Sequence, residues 1–237
     1  MNCETAILMA AGLGTRMRPL TEKTPKPLIK VNGTPMIETV INGLRSRGVE
    51  DIYIVTGYLK ECFSDLASAD TGLHIIENKE YETKNNISSI RAACDILGKA
   101  DTFICEADLY VSDPAIFKTE LKESCYYGRM VRGYSDDWVF ETGNDGYITR
   151  VGKGGEDCYN MVGISFFKRG DAKLLRDAVI AAYEKPGHEE LFWDDVVDRN
   201  LEKLKLRIHP VEDGQITEID TCEELRDVEE RMRRNVL

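Results

Sequence analysis

Two glycines at alternate positions, Gly12 and Gly14, follow a short apolar run at residues 6–11, and the cations Arg16, Arg18, Lys23, Lys26 and Lys30 come after them. Glycine lets a backbone turn through positive φ and lets main-chain N–H groups approach a ligand closely. Ala10, Ala11, Gly12, Gly14 and Thr15 are therefore candidates for a nucleotide-binding turn. Residues 12–32 carry five positive charges against the single acid Glu22, so a segment of net +4 sits in a chain of net −11 whose remainder sums to −15. Such a loop suits a small polyanion, with Arg16 and Lys26 as its charge partners. Two better-known phosphate loops are excluded: no G-x-x-x-x-G-K-[ST] is present, and Met17 stands where G-x-G-x-x-G needs its third glycine. Gly-x-Gly alone is equally compatible with an ordinary turn after a strand.

Carboxylates supply the second kind of chemistry. Asp108 closes Glu106-Ala107-Asp108 after the apolar run 102–105, and Asp220 closes Glu218-Ile219-Asp220 near the carboxyl end. Two carboxylates can hold a Mg²⁺ ion, which otherwise prefers water and substrate phosphate oxygens. Taken singly, each is also a candidate turn or capping residue, and Asp220, before Thr221, could cap the last helix. Asn85-Asn86-Ile87-Ser88-Ser89 precedes a helical run, where side-chain oxygens commonly cap free N–H groups. Trp138 follows Asp136-Asp137, and Trp193 lies among Glu189, Glu190, Asp194 and Asp195. Tryptophan faces beside carboxylates form a receptor for a quaternary ammonium. Core packing is the other reading of both rings. Lys153, among glycines, is either an anion contact or a solvated loop lysine; His74, His188 and His209 have no ligand spacing.

Positioning these groups requires a fold. At 237 residues the chain can bury a full core, and 42% hydrophobic with 31% charged residues is ordinary for a soluble globular protein. Seven cysteines without C-x-x-C argue against a disulfide scaffold or zinc site and fit a reducing compartment. No apolar run approaches the roughly 20 residues needed to cross a bilayer, and no signal peptide is evident, so the expected location is the cytoplasm. A pI near 4.9 argues against nucleic acid as a partner. Helical spacing at 35–47, with Thr34 as N-cap and Gly48 as stop, falls between apolar runs at 6–11 and 51–56. A helix at 59–66, strand at 73–77, helix at 87–97 and strand at 102–105 continue the alternation. This rhythm predicts an α/β fold, a Rossmann-like mostly parallel sheet flanked by helices, with ligands at the carboxyl ends of the strands.

From residue 126 the pattern changes. Strand-like runs at 126–131, 138–142, 148–151 and 161–167, separated by turns such as Gly143-Asn144-Asp145-Gly146, predict a small antiparallel β insertion forming a lid or acceptor pocket. Helices at 171–183, 192–201 and 222–236 and a strand at 206–210 complete the reading. One domain, 1–237, is expected, with 1–125 mainly nucleotide-binding, 126–200 mainly acceptor-binding and 201–237 returning to the core.

The loop Gly12-Leu13-Gly14-Thr15-Arg16-Met17-Arg18-Pro19-Leu20 with Pro25-Lys26-Pro27-Leu28 resembles the signature of nucleotidyltransferases that make nucleotide sugars and CDP-alcohols. With Gly57-Tyr58-Leu59-Lys60-Glu61, Asn85 to Ser89, Trp138 and Phe192-Trp193-Asp194, the chain is similar over nearly its full length to bacterial choline-phosphate cytidylyltransferases. The resemblance implies magnesium on Asp108 and Asp220, Arg16 and Lys26 on the phosphates, and Asn86 and Ser89 at the base and ribose. It also implies Trp138, Trp193 and Glu190 around choline, Glu190 replacing an expected aspartate, and Lys153 near the acceptor phosphate. The reaction implied is CTP with phosphocholine giving CDP-choline and pyrophosphate. Alternatives are a sugar-1-phosphate nucleotidyltransferase, a 2-aminoethylphosphonate cytidylyltransferase, favoured by more carboxylates and less aromatic surface, and a non-catalytic nucleotide sensor.

Overall fold

Strand β1 (Glu4–Ala10) is buried along most of its length because strands flank it on both sides, which is why its sequence reads as a continuous apolar run. The computed structural model describes residues 4–234. After β1 the chain forms the short strands β2 (Lys30–Val31) and β3 (Thr34–Pro35), helix α1 (Met36–Arg47) and β4 (Asp51–Thr56). Helix α2 (Ser64–Ala69), β5 (Leu73–Glu77), α3 (Ile87–Ala92), β6 (Asp101–Glu106) and β7 (Leu109–Val111) follow. Two long strands, β8 (Cys125–Thr142) and β9 (Ile148–Phe167), precede α4 (Arg169–Tyr183), α5 (Trp193–Asp198), β10 (Arg207–Pro210), β11 (Ile216–Glu218) and α6 (Cys222–Arg233).

Seven strands make the main sheet, in the order β10-β8-β9-β6-β1-β4-β5. The β6-β1-β4-β5 portion is parallel, β9 runs antiparallel to β6 and β8, and β10 is parallel to β8. Side chains along β1 alternate between two cores: Ala6, Leu8 and Ala10 meet Ile37, Val40 and Leu44 of α1, while Ile7 faces the opposite layer, built from α3, α4 and α5. The expected α/β architecture is thus present, with helices on both faces.

Several local expectations change. The four strand-like runs after residue 126 are two continuous strands, paired in antiparallel register with several bulges. Their roots belong to the main sheet, and the antiparallel ribbon they form continues outward from it. The helix expected at 87–97 stops at Ala92, where the amide bonds shift to three-residue turns (Cys94 N to Arg91 O, Ile96 N to Ala93 O) that deliver Ile96 and Leu97 to the core. At 59–66 a 3₁₀ turn (Lys60–Phe63) leads into α2. Thr34 is not an N-cap; it sits in β3, and Pro35 precedes α1 without a side-chain cap, while Gly48 ends that helix at φ 95° as expected. The final helix ends at Arg233, and the last residues of the 222–236 expectation lie outside the described region.

Gly43 on α1 is buried where an added Cβ would come within 2.5 Å of the Phe117 ring, itself packed edge-on to Phe103 at 5.8 Å. Alanine gains about 1 kcal/mol of helix propensity there, but overpacking costs about 1–3 kcal/mol. Gly43→Ala should therefore unfold at lower urea concentration with an unchanged slope; a midpoint at or above wild type would mean that Phe117 moves aside freely.

Candidate active site

Gly14 adopts left-handed geometry (φ 60°), and a Cβ at that position would lie 3.0 Å from both the Lys26 Cβ and the Thr21 methyl. Its carbonyl accepts the Thr21 hydroxyl at 2.8 Å, and Tyr58 ties the loop down through its N–H to Ala11 O and its hydroxyl to Thr21 O. Met17, where a dinucleotide loop would have glycine, is fully buried in a small core with Ile29, Met36, Ile219, Leu225 and Val228. That cluster clamps the amino-terminal loop onto the carboxyl-terminal segment. Because Ile219 points inward, Glu218 and Asp220 on either side of it turn toward the loop.

The β7–β11 pairing, with Leu109 opposite Glu218, brings Asp108 to the same place. Lys26, 8% exposed between Pro25 and Pro27, directs its Nζ 2.5 Å from Asp108 Oδ2 and 2.5 Å from Asp220 Oδ1. Arg16 reaches Asp220 Oδ1 at 2.6 Å. Burial alone would lower the Lys26 pKa, but the paired carboxylates of Asp108 and Asp220 outweigh it and the ammonium is held above its ordinary value. Asp220 is not the helix cap: that role belongs to Thr221, whose hydroxyl accepts the Glu224 N–H in a capping box.

Asp108, Glu218 and Asp220 each offer a carboxylate oxygen within 4.8 Å of the others. Desolvation among the cleft's acids first, and then Asp108 and Asp220, push the solvent-exposed Glu218 up to about 8, while burial and the charges of Glu218, Asp108 and Asp194 raise Glu106 well above the carboxylate range. This is a set of hard oxygen donors whose charge is met in the free chain by Lys26 and Arg16, and it fits a divalent cation such as Mg²⁺. The sequence reading found two of the three acids and passed over Glu218; strand alternation about Ile219 was the available signal.

These groups line a cleft of about 640 Å³. Ala10, Ala11, Gly12, Gly14, Thr15, Arg16 and Lys26 border it, with Tyr81, Asn86 and Ser89 from the α3 side. Arg18, Lys23 and Lys30 are exposed and outside its lining. Asn86 begins α3 without capping it; its Oδ1 accepts the Trp193 N–H at 3.0 Å, and Asn85 bonds the Glu189 and Glu190 carbonyls, fastening α3 to the turn before α5. From the ribbon come Asp137, Trp138 and Lys153, the last two opposite each other in the β8–β9 register.

Trp193 and Glu190 are elsewhere. Trp193 is 3% exposed and packs against Tyr126 at 5.8 Å and edge-on to Phe167 at 6.1 Å, because it opens α5 on the face turned to the sheet. Glu190 is exposed on the preceding turn, outside the cleft lining. Their neighbours Phe192 and Asp194 line the cleft instead. Phe192 meets Trp138 edge-on at 5.4 Å, and the Lys153 ammonium lies 5.8 Å from its ring centre. Asp194 accepts the Tyr126 hydroxyl at 2.9 Å and is pushed up to about 7 by burial.

Residues 6–140 match the family described as MobA-like NTP transferase domain. The chain is 57% identical, over 93% of its length and 89% of the relative, to 2-aminoethylphosphonate cytidylyltransferase of Lancefieldella rimae. It is 32% identical to choline-phosphate cytidylyltransferase of Streptococcus pneumoniae, covering 96% and 98% of the two chains. A solved structure of the CTP:phosphocholine cytidylyltransferase from Streptococcus pneumoniae superposes with a TM-score of 0.90 at 31% identity, covering 98% of this chain and all of that one. No helix among the described residues is long and apolar enough to cross a membrane. The clamped glycine loop, the lysine between two distant aspartates and these likenesses converge: the chain belongs to the MobA-like NTP transferase family, as a nucleotidyltransferase that groups with cytidylyltransferases.

Proposed function

We propose that this chain transfers the cytidylyl group of CTP to 2-aminoethylphosphonate, releasing pyrophosphate. The observation that carries the choice of acceptor is the wall built from the ribbon and α5. Two rings, Trp138 and Phe192, share it with Asp137 and Asp194, and Glu106 lies in the same cleft. A primary ammonium has three N–H donors for such carboxylates, whereas a trimethylammonium has none and relies on aromatic faces. The relative from Lancefieldella rimae, with its 57% identity, supports the same acceptor and the use of CTP. Phosphocholine is the second reading, favoured by the two rings and by the relatives at 32% and 28% identity.

In the reaction an oxygen of the phosphonate, ionised near neutral pH, attacks the α-phosphorus of CTP. The new P–O bond forms as the bond to the β-phosphate bridging oxygen breaks, and the electron pair departs with pyrophosphate. No general base is needed, so the protein contributes alignment and positive charge. Lys26 exchanges its aspartate partners for oxygens at the α-phosphate. Arg16 and the N–H groups of the glycine loop receive the β- and γ-phosphates, and Lys153 approaches the acceptor's anionic end. Asp108, Glu218 and Asp220 are the residues that would hold magnesium, which supplies charge neutralisation at phosphate oxygens when bound. Asn86 and Ser89 border the nucleoside.

Three outcomes test this reading. Lys26→Ala should lower kcat by about 10²–10³-fold, the scale for loss of one charge-stabilising group at the reacting centre, with the far-UV circular dichroism unchanged; near-normal turnover would remove Lys26 from the mechanism. Pyrophosphate release measured with aminoethylphosphonate, phosphocholine, phosphoethanolamine and glucose-1-phosphate, each against CTP, UTP, GTP and dTTP, should be fastest for CTP with aminoethylphosphonate. Faster release with phosphocholine would shift the assignment to the second reading, and tight CTP binding without any turnover would revive a sensor.

The third concerns Asp194. With its pKa near about 7 in the free protein, this acid is largely neutral below that pH and anionic above it, and only the anion pairs with an ammonium. The ratio of wild-type to Asp194→Asn kcat/KM for aminoethylphosphonate should therefore rise with pH through this range, reaching about tenfold or more at the alkaline end. Titration of the acceptor itself cancels in that ratio. A ratio flat with pH would place the ammonium elsewhere.

A further inference from the structure

Asn78 follows β5 at the carboxyl edge of the sheet and is 2% exposed, yet it does not line the cleft. Its side chain is completely committed. Oδ1 accepts the backbone N–H of Glu80 at 2.9 Å, and Nδ2 donates to the hydroxyls of Ser88 at 2.8 Å and Ser89 at 3.2 Å. The Glu80 N–H can only donate, so the amide oxygen must face it and the NH₂ must face the two serines. Ser88 spends its own proton on the Asn85 carbonyl at 2.8 Å. Ser89 is different: its oxygen receives a proton from Asn78, no protein acceptor for its own proton is found among the described residues, and it lines the cleft.

We infer that Asn78 is a positioning residue for base selection: by occupying the Ser89 oxygen as a donor, it turns the Ser89 hydroxyl into a donor toward the bound nucleotide. This rests on the reading of the α3 side of the cleft as the nucleoside site. Left to itself a serine hydroxyl both donates and accepts, and so it discriminates poorly between bases. Held as a donor toward position 3 of the base, it suits cytosine, whose N3 accepts; O2 accepts in both pyrimidines and does not distinguish them. Uracil carries N3–H instead, so two donors would face each other and remain unpaired in a buried place, a penalty larger than the gain from one satisfied hydrogen bond. The polarity originates one residue beyond β5 and reaches the cleft through one shared hydroxyl.

Asn78→Asp retains the shape and the acceptor for Glu80 but replaces the donor toward Ser89 with a second acceptor. The Ser89 proton is then drawn to residue 78 and away from the base. Calorimetric titration of CTP and UTP, without acceptor substrate, reads the effect directly in wild type, Asn78→Asp, Ser89→Ala and the double variant. The wild type should prefer CTP. Asn78→Asp should lose about tenfold or more in CTP affinity, the scale of one hydrogen bond left unmade, while UTP affinity stays within about threefold. Because both residues act through one hydroxyl, the double variant should be no worse than the poorer single variant. Unchanged CTP affinity in Asn78→Asp, equal losses for both nucleotides, or additive losses in the double variant would each overturn the inference. So would a retained CTP preference in Ser89→Ala, which decides the matter even if Asn78→Asp does not fold. A wild type without CTP preference would instead overturn the nucleoside-site reading beneath it.

Discussion

One ammonium held between two carboxylates organises this molecule. Lys26, Asp108 and Asp220 come from the amino-terminal loop, the end of β6 and the segment after β11, separated by 82 and 194 residues from the lysine. Placing them within 2.5 Å requires that the β1–β6 pairing, the β7–β11 pairing and the small core around Met17 and Ile219 all form together. Removing the lysine leaves three acids within 4.8 Å of one another with only Arg16, paired to Asp220, against their repulsion. In the free chain the lysine and Arg16 answer that charge from within the protein. On the proposed reading, a triphosphate with a divalent ion would offer partners to both the acids and the cations at once.

The other wall of the cleft follows a different rule. There the β8–β9 ribbon and the start of α5 contribute rings and acids together, and burial pushes one of those acids, Asp194, up to about 7. Trp193 supports this wall from behind through its packing on Tyr126, whose hydroxyl also orients Asp194. Trp193, expected from the sequence to face the acceptor, thus instead helps hold a cleft carboxylate in position. The α3 side uses neutral polar groups, with Asn78, Asn85 and Asn86 settling orientations that backbone geometry alone leaves free. Charge pairs govern the glycine-loop side of the cleft, mixed ring and acid surface the ribbon side, and hydrogen-bond polarity the α3 side.

The elements legible in the residues were those with short-range causes. The glycine loop, the helix ending at Gly48, the strands at 51–56 and 73–77 and the parallel α/β layering all follow from periodicity and from where glycine is tolerated. What failed had a longer-range cause. Helix α3 stops early because Ile96 and Leu97 must reach the core by another route, and the interrupted strand runs after residue 126 join because bulges absorb the glycines between them.

The sequence by itself determined which chemically able groups are present: a cationic glycine-rich turn, Asp108 and Asp220 after short apolar runs, and Trp138 beside Asp137, all local in character and readable from residue type and spacing. Only the tertiary structure decided which side of a local run faces the cleft. Whether 192 and 194 or 193 and 190 enter the cleft depends on how α5 rotates against Tyr126 and Phe167, and the pattern of α5 alone permits either orientation. The same holds for Glu218, which joins Asp108 and Asp220 only because a buried isoleucine between two acids points both of them the same way, a consequence of strand pairing with β7.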